Sequence, residues 1–243
     1  MRGFHSSTNK LRGAVIVLAA VLCASAAHQA SAATYTDATG ENFTGAGGGI
    51  LDITSVEVNT SGSDLIFKIN LAGDPVATDW GKYMVGIDSV AGGDTTGDGW
   101  VRPISMSSGM DYWLGSWADS GNGAEAWKYT GTWGLQNATY ATPGGLSFAK
   151  DTSSVTITYP SASLGLNPGD SFYFDVYTSG GGGTDSAVDA LANPTQTIND
   201  WGVAYNSGAA VDQFTMPVPE PSTLVLVAFG GLLAVGRTFR RRS

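Results

Sequence analysis

Between residues 33 and 217 the chain has no cysteine and no histidine: its one cysteine, Cys23, and both histidines, His5 and His28, come earlier. Without histidine there is no Ser-His-Asp or Cys-His nucleophile, and no imidazole to ligate zinc or copper. Without cysteine there is no disulfide, so a stretch of this length must be held by its apolar core, alone or with a bound metal. Basic residues are scarce as well. Lys68, Lys82, Arg102, Lys128 and Lys150 stand against twenty acidic residues, a balance of −15 where the whole chain has −9. Nucleic acid and anionic membrane surfaces are poor partners for such a domain, and neutral glycans and divalent cations suit it better. Carboxylates are the only common acid–base groups left. Any catalysis would therefore be of the two-carboxylate, glycoside-cleaving kind.

What precedes and follows this stretch has a different composition. Residues 1–32 read as a secretory signal peptide: Arg2, Lys10 and Arg12 lead, residues 14–22 are apolar, and Ala30-Ser31-Ala32 supplies small residues for cleavage before Ala33. Cys23 follows Leu22, where a lipoprotein signal needs a small residue, which argues against lipidation. At the other end, Val218, Pro219, Glu220 and Pro221 form a stiff segment that refuses a helix, because proline fixes its own φ and restricts its predecessor. Residues 223–235 are apolar or small, and Arg237, Arg240, Arg241 and Arg242 follow as a basic stop. As a helix, that apolar span reaches ~20 Å, short of the ~30 Å hydrocarbon core. It suits a temporary transmembrane anchor better than a permanent one.

This order of proline motif, apolar span and arginines resembles the PEP-CTERM sorting signal of exported proteins in Gram-negative bacteria that make extracellular polysaccharide. The resemblance implies an exosortase as partner, an inner-membrane-anchored precursor, and later residence at the cell surface or in the extracellular matrix. The chain then divides into a signal peptide (1–32), a central domain (33–217) and a sorting tail (218–243).

The central domain reads as all-β. Residues 50–59 and 65–71 flank Ser61-Gly62-Ser63-Asp64, a hairpin signal, and Leu65, Phe67, Ile69 and Leu71 share one face. Further strands are expected at 83–88, 110–118, 125–132, 146–150, 154–160, 170–178, 201–205 and 211–215. Short helical turns are expected only at 161–166 and 186–192. Many short strands separated by Gly, Asp and Ser turns predict a jelly-roll-like β-sandwich. Two junctions, YMVGIDSVAGGDTTGDGW and YPSASLGLNPGDSFYFDVYTSGGGGTDSAVDAL, resemble carbohydrate-binding-module family 9-like and DOMON-like β-sandwiches. That resemblance implies a jelly roll, often with structural calcium, and sometimes sugar or haem binding. Haem fits poorly with a domain that lacks histidine.

Two groups of residues are candidates for a site. Asp88, Asp94 and Asp98 lie in and beside the Gly/Asp loop 92–100, and Asp185 and Asp189 follow the glycine run 180–183. Flexible Gly/Asp loops supply the oxygens calcium requires, although solvated acidic turns have the same composition. The second group is aromatic: Trp113, Trp117, Trp127, Tyr129 and Trp133, with Asp111, Asp119, Asn122 and Glu125 as polar neighbours. Aromatic faces stack on sugar rings, but tryptophan also fills cores. Trp80, Trp100 and Trp201 read as packing residues. Three functions fit the inventory. The first is a non-catalytic glycan-binding module braced by calcium, working on extracellular polysaccharide. The second is a structural matrix protein with no small ligand. The third is a glycosidase using Asp111 and Glu125.

Overall fold

A computed structural model describes residues 32–42, 47–119, 121–193 and 200–218. Contacts gather Ala30–Pro217 into one compact unit. The signal peptide up to Ser31, the motif residues Pro219, Glu220 and Pro221, the expected membrane span and the four terminal arginines lie outside the described residues. Among the described residues, no helix is long and apolar enough to cross a membrane.

The domain is all-β. Its strands are β1 (Ala32–Thr36), β2 (Ile53–Ser61), β3 (Asp64–Leu71), β4 (Lys82–Asp88), β5 (Ile104–Ser105), β6 (Tyr112–Trp117) and β7 (Gly123–Tyr129), then β8 (Trp133–Ala138), β9 (Ser147–Lys150), β10 (Ser154–Pro160), β11 (Ser171–Ser179), β12 (Asp189–Ala190), β13 (Tyr205–Asn206) and β14 (Asp212–Thr215). A five-stranded sheet runs β1-β2-β3-β10-β9. A larger sheet runs β12-β11-β4-β6-β7-β8, with β14 also paired to β11. Both are antiparallel, and a small parallel pair joins β5 to β13.

Local sequence explains the pairing. β3 alternates strictly between buried and half-buried residues, as a strand with one face on a core must. Its hairpin with β2 closes at Ser61↔Asp64, and Gly62 takes the positive φ that a two-residue turn needs. A bulge between Ile53 and Ser55 lets Ile53 and Val56, three residues apart, both point inward.

The two sheets pack face to face as a sandwich. Val56, Phe67, Ile69 and Ile157 from the smaller sheet share one core with Val85, Leu114, Phe172 and Phe174 from the larger. The Phe67 ring lies 6.4 Å from Phe172 and 5.6 Å from Phe174. In the larger sheet, β4 and β6 are buried on both faces. The sheet's outer face carries a second apolar cluster, in which Met84, Trp113 and Tyr177 meet Met106 and Met110 from the covering loops and Tyr205 from β13.

Three local expectations differ from the structure. Residues 186–192 form no helical turn. Ala187, Val188, Ala190 and Leu191 are all buried, and the segment pairs with β11 as β12. Of residues 201–205, only Tyr205 is in a strand. β1 and β8 were not anticipated.

Candidate functional site

The register of β6 with β7 builds the site. Trp113 faces Trp127, Gly115 faces Glu125, and Trp117 faces Gly123. The two glycines act as sockets for indole rings. A Cβ on Gly115 would come within 2.4 Å of the Trp100 ring, and one on Gly123 within 2.2 Å of the Trp117 ring. Both rings therefore lie against the sheet, at positions where a side chain would have lifted them off.

Around these rings runs a cleft of about 300 Å³, lined by Lys82, Trp100, Arg102, Trp117, Glu125 and Gly183. The Trp100 and Trp117 centroids are 6.4 Å apart and tilted by 43°. Glu125 fixes the floor: one oxygen accepts from Trp100 Nε1 at 2.7 Å and from Trp127 Nε1 at 3.0 Å, and the other accepts from the Tyr140 hydroxyl at 2.5 Å. That donation to Glu125 raises the Tyr140 phenol above its ordinary pKa, with burial adding to the effect. Tyr140 lies 6.1 Å from Trp117 and is itself well exposed.

Two cations border the cleft. The Arg102 guanidinium sits 5.5 Å over the Trp100 ring. It is held by donation to Ser179 Oγ at 2.8 Å and to the carbonyls of Asp185 and Gly180 at 2.9 and 3.2 Å. Lys82 donates to Asp119 at 3.0 Å. Between Trp100 and Arg102, Val101 has φ 58° and an 84% exposed side chain. A β-branched residue in the left-handed region is strained, and here the strain lies between two residues of the cleft wall. Flat rings with carboxylate, guanidinium and ammonium groups beside them can stack on an apolar ring face and hydrogen-bond hydroxyls around it.

The expected aromatic strip does not form one platform. Of its five members, only Trp117 lines the cleft. Trp113 is fully buried and stacks on Tyr177 at 5.8 Å, so its expected role as a ligand contact is corrected to packing. Trp127 packs against the outer cluster with its N–H engaged by Glu125. Tyr129 and Trp133 pair with each other at 5.4 Å, and Trp133 Nε1 donates to Asp94 at 2.8 Å. Trp100, read from sequence as packing, forms a cleft wall instead. The glycine between Trp113 and Trp117 was the available signal, because it leaves a slot the width of a ring.

The carboxylates are similarly redistributed. Asp111 is buried, and its Oδ2 accepts from the backbone N–H groups of Ser89 and Val90 at 2.8 and 2.9 Å. It lies four residues along β6 from Gly115, the partner of Glu125, or ~13 Å at strand rise. Asp88, Asp94 and Asp98 do not converge on a common point. Among the described residues, the group of three carboxylates within 4.8 Å of one another is Asp37, Glu41 and Asp189. Asp94 holds the loop: burial pushes its pKa up, but hydrogen bonds from Thr96, Trp133 and Gly97 outweigh that and leave it below the ordinary value. Asp98 accepts from Trp100 N at 2.7 Å, and burial pushes it up to about 7. Asp185 accepts from Gly182 N at 2.8 Å. Asp189 sits apart from Asp185, accepting from Ile53 N at 2.7 Å and from Ala190 N at 2.8 Å.

Residues 217–242 match the PEP-CTERM protein-sorting motif. The motif supports an exported protein made as a membrane-anchored precursor and processed by an exosortase. No curated protein matches the chain. The resemblance of the central domain to family 9-like and DOMON-like sandwiches gains no support from these comparisons.

Proposed function

We propose that the exported protein is a non-catalytic glycan-binding module that works on the extracellular polysaccharide of a Gram-negative cell once an exosortase has processed its tail. One observation carries the reading. Trp100 and Trp117 are seated on glycines as two flat walls of an open cleft whose polar groups are Glu125, Arg102 and Lys82. Stacking on one face of a sugar ring and hydrogen bonding to its hydroxyls need this combination. The chain changes sheet between β3 and β4, between β8 and β9 and between β10 and β11, which is in keeping with a jelly-roll-like sandwich. Binding is preferred to cleavage because Glu125 is engaged by three donors and Asp111 is turned into a loop. The second reading, a matrix protein with no small ligand, draws on Trp113 and Trp127 serving as packing.

Co-sedimentation of the processed protein with the host's own polysaccharide tests the binding. Wild type pellets with the polymer and Trp117→Ala stays in the supernatant. Pelleting of the variant to the wild-type extent would refute the cleft as the site. The sorting half has its own test. Replacing Pro219, Glu220 and Pro221 by alanine, or deleting Arg240, Arg241 and Arg242, leaves full-length protein in the membrane fraction on an immunoblot. Normal processing of both variants would contradict it.

A further inference from the structure

Three carboxylates meet where the loop after β1 passes the start of β2 and the short strand β12, and a fourth, Asp52, lies beside two of them. Asp37, Glu41 and Asp189 each offer an oxygen within 4.8 Å of the others. Asp52, 7% exposed, accepts from Gly40 N at 3.0 Å through Oδ2, and its Oδ1 has no partner. Asp37 Oδ2 and both oxygens of Glu41 are likewise shielded from water and unpartnered.

The basic side chains of the domain are all engaged elsewhere. Lys68 pairs with Glu57 and Lys82 with Asp119. Arg102 binds Ser179 and two carbonyls, Lys128 lies over Tyr112, and Lys150 donates to the carbonyls of Pro75 and Ala118. Burial first, and the neighbouring carboxylates after it, push Asp189 up to about 8 and Asp37 up to about 7, although backbone N–H groups hold each of them down. Glu41 and Asp52 rise for the same leading reason. Buried carboxylate charge is strongly unfavourable without a partner.

We propose that these carboxylates bind a calcium ion, with Asp37, Glu41 and Asp189 as direct ligands and the buried, unpartnered oxygen of Asp52 beside them. An all-oxygen site, in a domain without histidine or cysteine, selects a hard cation. Calcium–oxygen bonds of ~2.4 Å allow two ligand oxygens to lie at most ~4.8 Å apart, and the oxygens of Asp37, Glu41 and Asp189 fall within that limit. The ion would tie the loop after β1, which belongs to the smaller sheet, to β12 at the edge of the larger one. The hydrogen bond from Ile53 N, at the start of β2, to Asp189 already links the two sheets beside it. The site is distinct from the tryptophan cleft and does not depend on what that cleft binds.

Calcium titration of the full chain in detergent, stripped with chelator, tests this by calorimetry and by thermal unfolding. One calcium binds per chain and raises Tm. Glu41→Gln removes a carboxylate that makes no protein hydrogen bond, so the stripped variant folds at least as stably as wild type but binds calcium at least tenfold more weakly. Asp37→Asn behaves likewise, and Asp94→Asn binds as wild type does. Absence of saturable binding, unchanged affinity in both Glu41→Gln and Asp37→Asn, or loss of binding in Asp94→Asn would each overturn the assignment.

Discussion

The two faces of the larger sheet are built from the same strands and serve different ends. The inner face presents Val85, Ile87, Leu114, Phe172, Phe174 and Val176 to the smaller sheet, a core of aliphatic and phenyl groups. The outer face of the same strands presents Met84, Gly86, Trp113, Gly115 and Tyr177, with loops laid over them. Aliphatic side chains fill space wherever they point. Glycines beside tryptophans instead leave slots, and the rings settle into those slots flat and partly open. The inner face thus fixes the fold, and the outer face is where the chain has room for a ligand.

Mutations across the two faces test how far that division holds. The largest losses fall where burial is complete, whichever face it is on. Phe174→Ala on the inner face and Trp113→Ala on the outer face are each expected to cost roughly 3–5 kcal/mol, measured by urea unfolding. If Trp113→Ala cost less than ~1 kcal/mol, the outer cluster would not be a packed core.

Acidity probes the outer face next. Asp175 is fully buried there, accepting from Ser207 Oγ at 2.6 Å and from Ala192 N and Val176 N, and burial pushes it up to about 7. Its folded pKa lies above its unfolded one, so the folded state binds more protons between the two. The associated stability is fully present below about pH 4 and is lost as pH rises through about 7. Asp98 shifts in the same direction. Unfolding measured in chelator from pH 4.5 to 7.5 should show stability falling, with a shallower slope in Asp175→Asn. An unchanged slope would remove Asp175 from the account. The smallest effect on stability is expected at Trp117, half-buried over Gly123, where alanine should cost about 1 kcal/mol or less.

The fold was legible wherever one side of a strand faces water. Leu65, Phe67, Ile69 and Leu71 alternate with polar residues, and the hairpin before them carries its glycine in the expected place. Legibility failed where burial is two-sided or absent. The segment Ala187 to Leu191 is buried on both sides, so it shows no alternation; it resembled a helical turn, and Asp189–Ala190 within it proved to be strand. β8 is an edge strand with polar, exposed positions, and so it carried no pattern.

The sites were partly legible for the same reason. Composition pointed to aromatic and carboxylate chemistry, and it named Trp117 and Asp189. It did not reveal that Trp100 lies over Gly115, a contact made only by the fold. Nor could it bring Asp37 and Glu41 to Asp189, because those residues are adjacent only once the edges of the two sheets meet. The loop 92–100 looked like a metal loop because its carboxylates are close in sequence. In the structure Asp94 and Asp98 accept hydrogen bonds from Thr96, Trp133 and Trp100.

The most direct test of the central claim is affinity electrophoresis of wild type and Trp117→Ala through gels cast with and without the host polysaccharide, with Tm recorded for both proteins. The account predicts that wild type is retarded by the polymer, and that Trp117→Ala migrates as in the blank gel while its Tm stays within a few degrees of wild type. Equal retardation of the two proteins, or none for wild type, would contradict it and return the outer face to packing alone.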